Sequence, residues 1–211
     1  MIKKIVFVIV TLFITNIYGQ DAKQLLNEVS SKVKSYDNIV ISFKYTLNNP
    51  AENISQETRG DVTLDGDKYV LNIMGTKQMY DGKKLHVIVP EDEEINISTI
   101  SDEDEDNVTP AKMLTFYEKG YTYTMDIVQN VQGRKIQFIK LIPIDSKSEL
   151  KEILLGIDKQ TKHIYKMILM QNNDTNITIT VNNFKTNQPL SKTLFVFDES
   201  KYENYYINRL D

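Results

Sequence analysis

Hydrophobic and polar positions change their period once the chain leaves its first helix. Between Asp21 and Tyr36, Ala22, Leu25, Leu26, Val29, Val33 and Tyr36 recur at helical spacing, with Lys23, Glu28, Lys32 and Lys34 elsewhere on the wheel. This predicts an amphipathic helix of about four turns, packed by one stripe. Asp21 followed three residues later by Gln24 resembles a capping box. From Ile39 the period is two: Ile39, Ile41, Phe43, Tyr45 and Leu47 alternate with Val40, Ser42, Lys44 and Thr46. That is the pattern of a strand with one buried and one wetter face. Asn48–Pro50 ends it.

Hairpin signals follow. Glu57–Leu64 and Lys68–Met74 flank Asp65-Gly66, a strong turn signal between alternating runs, with Tyr69, Leu71 and Ile73 on one face. Asp81-Gly82 precedes Leu85, Val87 and Val89, and Glu94–Ile100 continues in phase. The rhythm breaks at Ser101–Asn107 (SDEDEDN), read as an acidic, solvated loop, with docking of a basic partner as the lesser reading. Thr109-Pro110 then predicts a short helix to about Tyr117, because proline suits the first helical position. Tyr121–Val128, Lys135–Pro143, Leu150–Asp158, His163–Gln171 and Asn176–Phe184 restore strand character, and Thr193–Phe197 reads as a short last strand. The prediction is an α+β fold that is mainly β: an antiparallel meander of about eleven strands, curved toward an incomplete barrel, with a long first helix and a short lid helix.

The amino end reads as an address. Lys3 and Lys4 precede the apolar run Ile5–Ile14, and polar sequence begins at Gln20. The run is short for a membrane span, which needs roughly 20 apolar residues, and fits a secretory signal peptide over residues 1–19, cleaved near Gly19. Residues 20–211 are then one domain, within the size of about 200 residues that a β-sandwich or barrel reaches. The chain has no cysteine, which excludes a disulfide scaffold and a lipid anchor on a cysteine after the leader. Its formal net charge is −4; an acidic balance argues against nucleic acid as a partner.

Catalytic chemistry finds no foothold. The two histidines, His86 and His163, are far apart and each lies in a strand pattern, where an ordinary surface or edge position is expected. No HExxH, GxSxG, CxxC or phosphate-binding glycine loop occurs. The acidic run lacks the alternating ligands and central glycine of a calcium loop. The expectation is no enzyme, no catalytic residue, no metal and no cofactor. What the sequence offers is apolar surface: a wide sheet with methionines, which suit surfaces that accept varied apolar shapes. Strand phase and lid position nominate Phe43, Tyr45, Leu71, Ile73, Val87, Met113, Leu114, Phe116, Met167 and Leu169 as lining a ligand cavity. The 109–117 element, between the acidic loop and Gly120, is placed to act as its lid.

Read in order, four segments resemble the periplasmic lipoprotein carrier family, LolA. They are Leu25-Leu26 through Ser42-Phe43, Gly60-Asp61 with Asp67-Lys68-Tyr69, Tyr80 to Leu85 (YDGKKL), and Pro189 to Phe197 (PLSKTLFVF). The resemblance covers the whole chain after the leader. It implies an incomplete β-barrel with helices over its mouth, and a hydrophobic cavity for lipoprotein acyl chains. It also implies loading from an inner-membrane lipoprotein-releasing ABC transporter and delivery to an outer-membrane acceptor of unknown identity. One departure stands out: the family's lid-locking arginine has no counterpart in Leu64-Asp65-Gly66-Asp67, and Arg59 does not occupy that position. The rival reading is a lipid- or lipoprotein-sensing module of the same half-barrel type that reports envelope stress.

Overall fold

The computed structural model describes residues 21–100 and 109–210; the proposed signal peptide and the acidic loop lie outside them. The helix (α1, residues 21–34) buries Ala22, Leu25, Leu26 and Val29, the stripe that the periodicity predicts. Asp21 is already helical, so it is not the cap. The Gln24 side chain turns outward to donate to Glu28 at 3.4 Å.

Twelve strands follow: β1 (Asn38–Asn49), β2 (Ile54–Asp65), β3 (Lys68–Ile73), β4 (Thr76–Tyr80), β5 (Lys84–Val89), β6 (Glu94–Thr99), β7 (Tyr121–Val131), β8 (Arg134–Pro143), β9 (Leu150–Asp158), β10 (Ile164–Gln171), β11 (Asn176–Thr186) and β12 (Tyr206–Arg209). The expected count of eleven is corrected twice over. β4 and β12 were not anticipated, and Thr193–Phe197 is no strand: turn bonds from Leu194 N to Ser191 O and from Val196 N to Thr193 O bend it. The predicted helix from Pro110 to Tyr117 is two 3-10 turns, Lys112–Leu114 and Phe116–Glu118, broken at Thr115, whose φ of −136° is not helical.

The strand order is β12-β6-β5-β4-β3-β2-β1-β11-β10-β9-β8-β7. It consists of two meanders joined where β1 meets β11, and β12 and β7 stand at its two ends, unpaired with each other. The hairpins from β2 to β6 and from β7 to β10 are antiparallel. β12 instead runs parallel to β6, which a consecutive meander does not foresee. Asp65 and Lys68 pair across the first hairpin, so its loop is Gly66-Asp67, with Gly66 supplying the positive φ. At the Asp81-Gly82 turn the Asp81 carboxylate accepts from Lys83 N and Lys84 N at 2.8 and 2.7 Å, the local side-chain bonding that makes aspartate a turn residue.

The chain divides into two compact units. One comprises α1, Leu47–Ser55 and Phe116–Ile179, and so contains β7 to β10. The other comprises Tyr36–Thr46 and the described parts of 56–115 and 180–211, with β3 to β6 and β12. β1, β2 and β11 contribute residues to both.

The first unit is packed around cross-strand rows of β8, β9 and β10, Ile139–Leu155–Met167 and Leu141–Ile153–Leu169, in which every residue but Leu169 is buried. A bulge in β7 between Met125 and Val128 leaves carbonyls unpaired. Buried Gln137 on the neighbouring strand answers it, donating to Asp126 O at 2.8 Å. Asn49 ends β1 by accepting from Glu52 N, while its amide donates to Thr175 before β11.

In the second unit, one sheet face carries Val70, Met79, Ile88, Ile95 and Ile97. The segment after Pro189 covers them with Leu190, Leu194, Phe195 and Phe197, followed by Tyr202, Tyr205 and Ile207. Burying large apolar side chains on both partners is the dominant favourable term in such docking.

A candidate apolar binding face

The opposite face of the second unit is built by register. Val62, Leu71, Gln78 and Val87 stand directly opposite one another across β2, β3, β4 and β5. Ile73, two residues from Leu71, shares their face. Phe43 joins them from β1, because its ring occupies the space above Gly60 on that side; Tyr45 follows in the same phase. Five of the nominated residues, Phe43, Tyr45, Leu71, Ile73 and Val87, therefore look the same way. Phe43 is buried and the other four are half-buried. The face away from them is the one sealed by the carboxy-terminal segment. Leu85 and Val89, in phase with Val87 and also half-buried, belong to the same surface. Their alternation with His86 and Ile88 was the signal for them.

The other nominated residues fall elsewhere. Met113 and Leu114, half-buried on the first 3-10 turn, belong to the same unit. Phe116, Met167 and Leu169 belong to the first unit. Met167 is packed within a buried row beside Leu155, and Leu169 next to it is half-buried. Phe116 presents its ring edge-on to Tyr117 and to Tyr121, with centroids 5.5 and 5.7 Å away.

Several polar groups were not foreseen as a set. Tyr117, 1% exposed, hydrogen-bonds to Ser30 of α1, hydroxyl to hydroxyl at 3.3 Å. The Tyr123 hydroxyl donates to Tyr117 O at 2.8 Å, and Lys34 pairs with Glu118. The Lys34 ammonium, with help from the Ser30 hydroxyl, holds the Glu118 carboxyl below its ordinary range. Burial pushes the Tyr117 phenol up to about 12. A single tyrosine in a short element carried no periodic signal, so sequence reasoning passed over it.

The histidines depart from expectation in one case. His86 is buried in β5 rather than at the surface; its Nδ1 is 3.4 Å from Met79 O and its ring stacks on Phe197 at 4.4 Å. Half-buried His163 precedes β10, and burial, followed by the nearby Lys32 charge, lowers its pKa. Arg59 lines a groove of about 660 Å³ with Ser42, Asp61, Asn72 and Lys77. In β2 it alternates with Gly60, so it faces away from the apolar surface. Among the described residues no group of three His, Cys, Asp or Glu side chains could hold a metal. No described helix is long and apolar enough to cross a membrane.

The described residues form a mostly β protein with one α-helix, a twelve-strand sheet unpaired at its ends and, in the second unit, an apolar face opposite the sealed one. The family model for outer membrane lipoprotein carrier protein LolA matches residues 31–198, and the chain belongs to that family, whose members are periplasmic carriers rather than enzymes. No curated protein sequence matches it. Among solved structures it is similar to an uncharacterized conserved protein from Thermus thermophilus, at 10% identity over 87% of this chain and 98% of that one, with a TM-score of 0.55. It is similar also to LprF from Mycobacterium bovis, at 16% identity over 82% and 95%, with a TM-score of 0.51. A LolA superfamily protein from Nitrosomonas europaea aligns over 84% and 98% at 12% identity, with a TM-score of 0.43. At these identities the structural likeness concerns the fold.

Proposed function

We propose that this chain is a periplasmic carrier that shields the acyl chains of lipoproteins and moves them from the inner to the outer membrane. The observation that carries the reading is the asymmetry of the β1–β5 sheet. One face is sealed by the chain's own aromatic residues; on the other, beside buried Val62, Leu64, Tyr69 and Tyr80, stand Tyr45, Leu71, Ile73 and Val87, which are only half-covered. Each buried methylene is worth roughly 0.8 kcal/mol, so an acylated protein crosses water only with its chains covered. Half-covered side chains suit a site that must also let go. In this reading Met113 and Leu114, of the same unit, form the lid side of the site. The leader through Gly19 exports the chain, and residues 20–211 act as one carrier. An inner-membrane lipoprotein-releasing ABC transporter loads it, and an outer-membrane acceptor unloads it.

Native mass spectrometry of the mature protein purified from a Gram-negative periplasm tests this. Co-purifying lipoprotein or fatty acyl species, lost in Leu71→Glu and Val87→Glu variants that still fold, is the expected result. Empty wild-type protein that transfers no lipoprotein to membranes would overturn it. Buried Met167 is a poor target, because a charge there would report on folding.

A further inference from the structure

We propose that the open edge of β7 pairs antiparallel with the same edge of a second copy of this chain, through the stretch Tyr121–Met125. The inference lies wholly within the first unit and is independent of what the apolar face of the second unit carries. β7 stands at one end of the strand order, with β8 on its inner side and, among the described residues, no strand beyond it. Folded proteins blunt such an edge with lysine, proline or a very short strand. The other end of the order follows that rule, since β12 has four residues and includes Arg209. β7 does not. It runs for eleven residues with Asp126 as its one charge and no proline, and Thr122, Thr124 and Ile127 to Asn130 are exposed. The bulge between Met125 and Val128 bends the strand, which leaves Tyr121–Met125 as its flat, uncharged part.

The ladder fixes where the backbone of this stretch points. Ile144 N donates to Gly120 O at 2.9 Å, and Thr122 and Thr124 stand opposite Ile142 and Lys140. Every second residue of an antiparallel strand bonds to the same neighbour, so Gly120, Thr122 and Thr124 direct their backbone groups to β8. The N–H and C=O of Tyr121, Tyr123 and Met125 then point to the side with no strand. Run against itself about a two-fold axis at Tyr123, the stretch is its own complement. Tyr121 exchanges both bonds with Met125 of the second copy, and Tyr123 with Tyr123. A two-fold interface requires such a self-complementary surface. The side chains agree with this register. Thr122 falls opposite Thr124 of the second copy, a favourable cross-strand pair. Lys140, one strand in, shares a row with Ile142 of the second copy rather than with another lysine. Asp126 comes beside Gly120 and Lys119 of the second copy, so the one carboxylate of the strand meets a cation. A partner recruited by charge finds little to hold on so neutral an edge; a second copy fits it.

The test is sedimentation equilibrium of the full mature chain from about 1 to 200 µM, where self-pairing makes the mass depend on concentration. A reversible dimer is the expected result. Two double variants set like charges across the axis: Thr122→Lys with Thr124→Lys, and Thr122→Glu with Thr124→Glu. Each alone should dimerise at least roughly tenfold more weakly, because like charges directly opposite one another are destabilising. An equimolar mixture of the two should regain the dimer. The chain has no cysteine, so a nitroxide on Thr124→Cys reports one site per copy. Its spectrum should broaden with concentration, since paired strands lie about 5 Å apart. A nitroxide on Lys159→Cys, beside Lys135 at the turn end of the β7–β8 hairpin, should stay sharp. A monomer at every concentration would overturn the proposal, as would a dimer that both charged variants keep, or equal broadening at the two labels. Should a charged variant not fold, the two labels decide alone.

Discussion

The Phe43 ring occupies the place a Gly60 side chain would need: a Cβ on Gly60 would lie 2.6 Å from Phe43 Cζ and 2.8 Å from the Asn72 carbonyl oxygen. The glycine is thus a seat for the aromatic ring at one end of the apolar face. The first unit repeats the device, with Phe138 over Gly156. Gly60→Ala must displace both ring and backbone, and overpacking of this kind costs about 1–3 kcal/mol. Urea denaturation should show a loss in that range together with weaker acyl binding, and an unchanged midpoint would refute the packing account.

The β7 bulge depends on one amide. Gln137 is buried, and its Nε2 donates to Asp126 O and Phe138 O at 2.8 Å each. Gln137→Met keeps the volume and strands those carbonyls, which costs roughly 1–3 kcal/mol. Amide exchange should quicken first in residues 125–129; uniform quickening would argue against a local role.

Met74 and Gly75 form the two-residue loop between β3 and β4, both at positive φ, and Met74 is 53% exposed. A left-handed conformation costs an ordinary residue roughly 1–2 kcal/mol, and asparagine bears it best. Little packing is lost on removing an exposed side chain. Met74→Asn should therefore raise the melting temperature by a few degrees, as a gain of about 1 kcal/mol predicts; a drop in thermal scanning would contradict this.

Three groups give the first unit its acid sensitivity, the first being Glu28, whose pKa is lowered by its hydrogen bond to Lys162. Glu118 has a lowered pKa through Lys34 and Ser30. The stability it contributes is present above the unfolded carboxyl range and lost as pH falls through the folded value. His163 is also lowered, by burial and Lys32; its stability is complete above about 6.5 and drains as pH falls below that. Denaturation midpoints should decline in two stages on acidification. Lys34→Met should shrink the lower stage, to which Glu28 also contributes, and His163→Gln should remove the upper one.

How far the sequence carried the fold can be read from particular residues. Alternation located β1 and the phase of Leu71, Ile73 and Val87 because one face of those strands is buried, and burial leaves its period in the chain. β4 escaped because Thr76, Lys77 and Gln78 are polar and only Met79 and Tyr80 are buried; its neighbours hold it in the sheet, not its own pattern. Leu194–Phe197 misled for the opposite reason. Its hydrophobic run is real, but it serves to cover β3–β6 as bent chain. The Phe116–Glu118 turn and its ties to Ser30 and Lys34 span more than eighty positions, a distance that no local spacing records.

The parallel pairing of β12 with β6 has a temporal meaning. Asn208 reaches Asn96 across 112 positions, and Tyr206–Arg209 supplies the outer partner of β6. Pairings between segments so distant in sequence form slowly. Until Tyr206–Arg209 docks, β6 is an edge strand, so this short pairing is what covers that margin of the sheet.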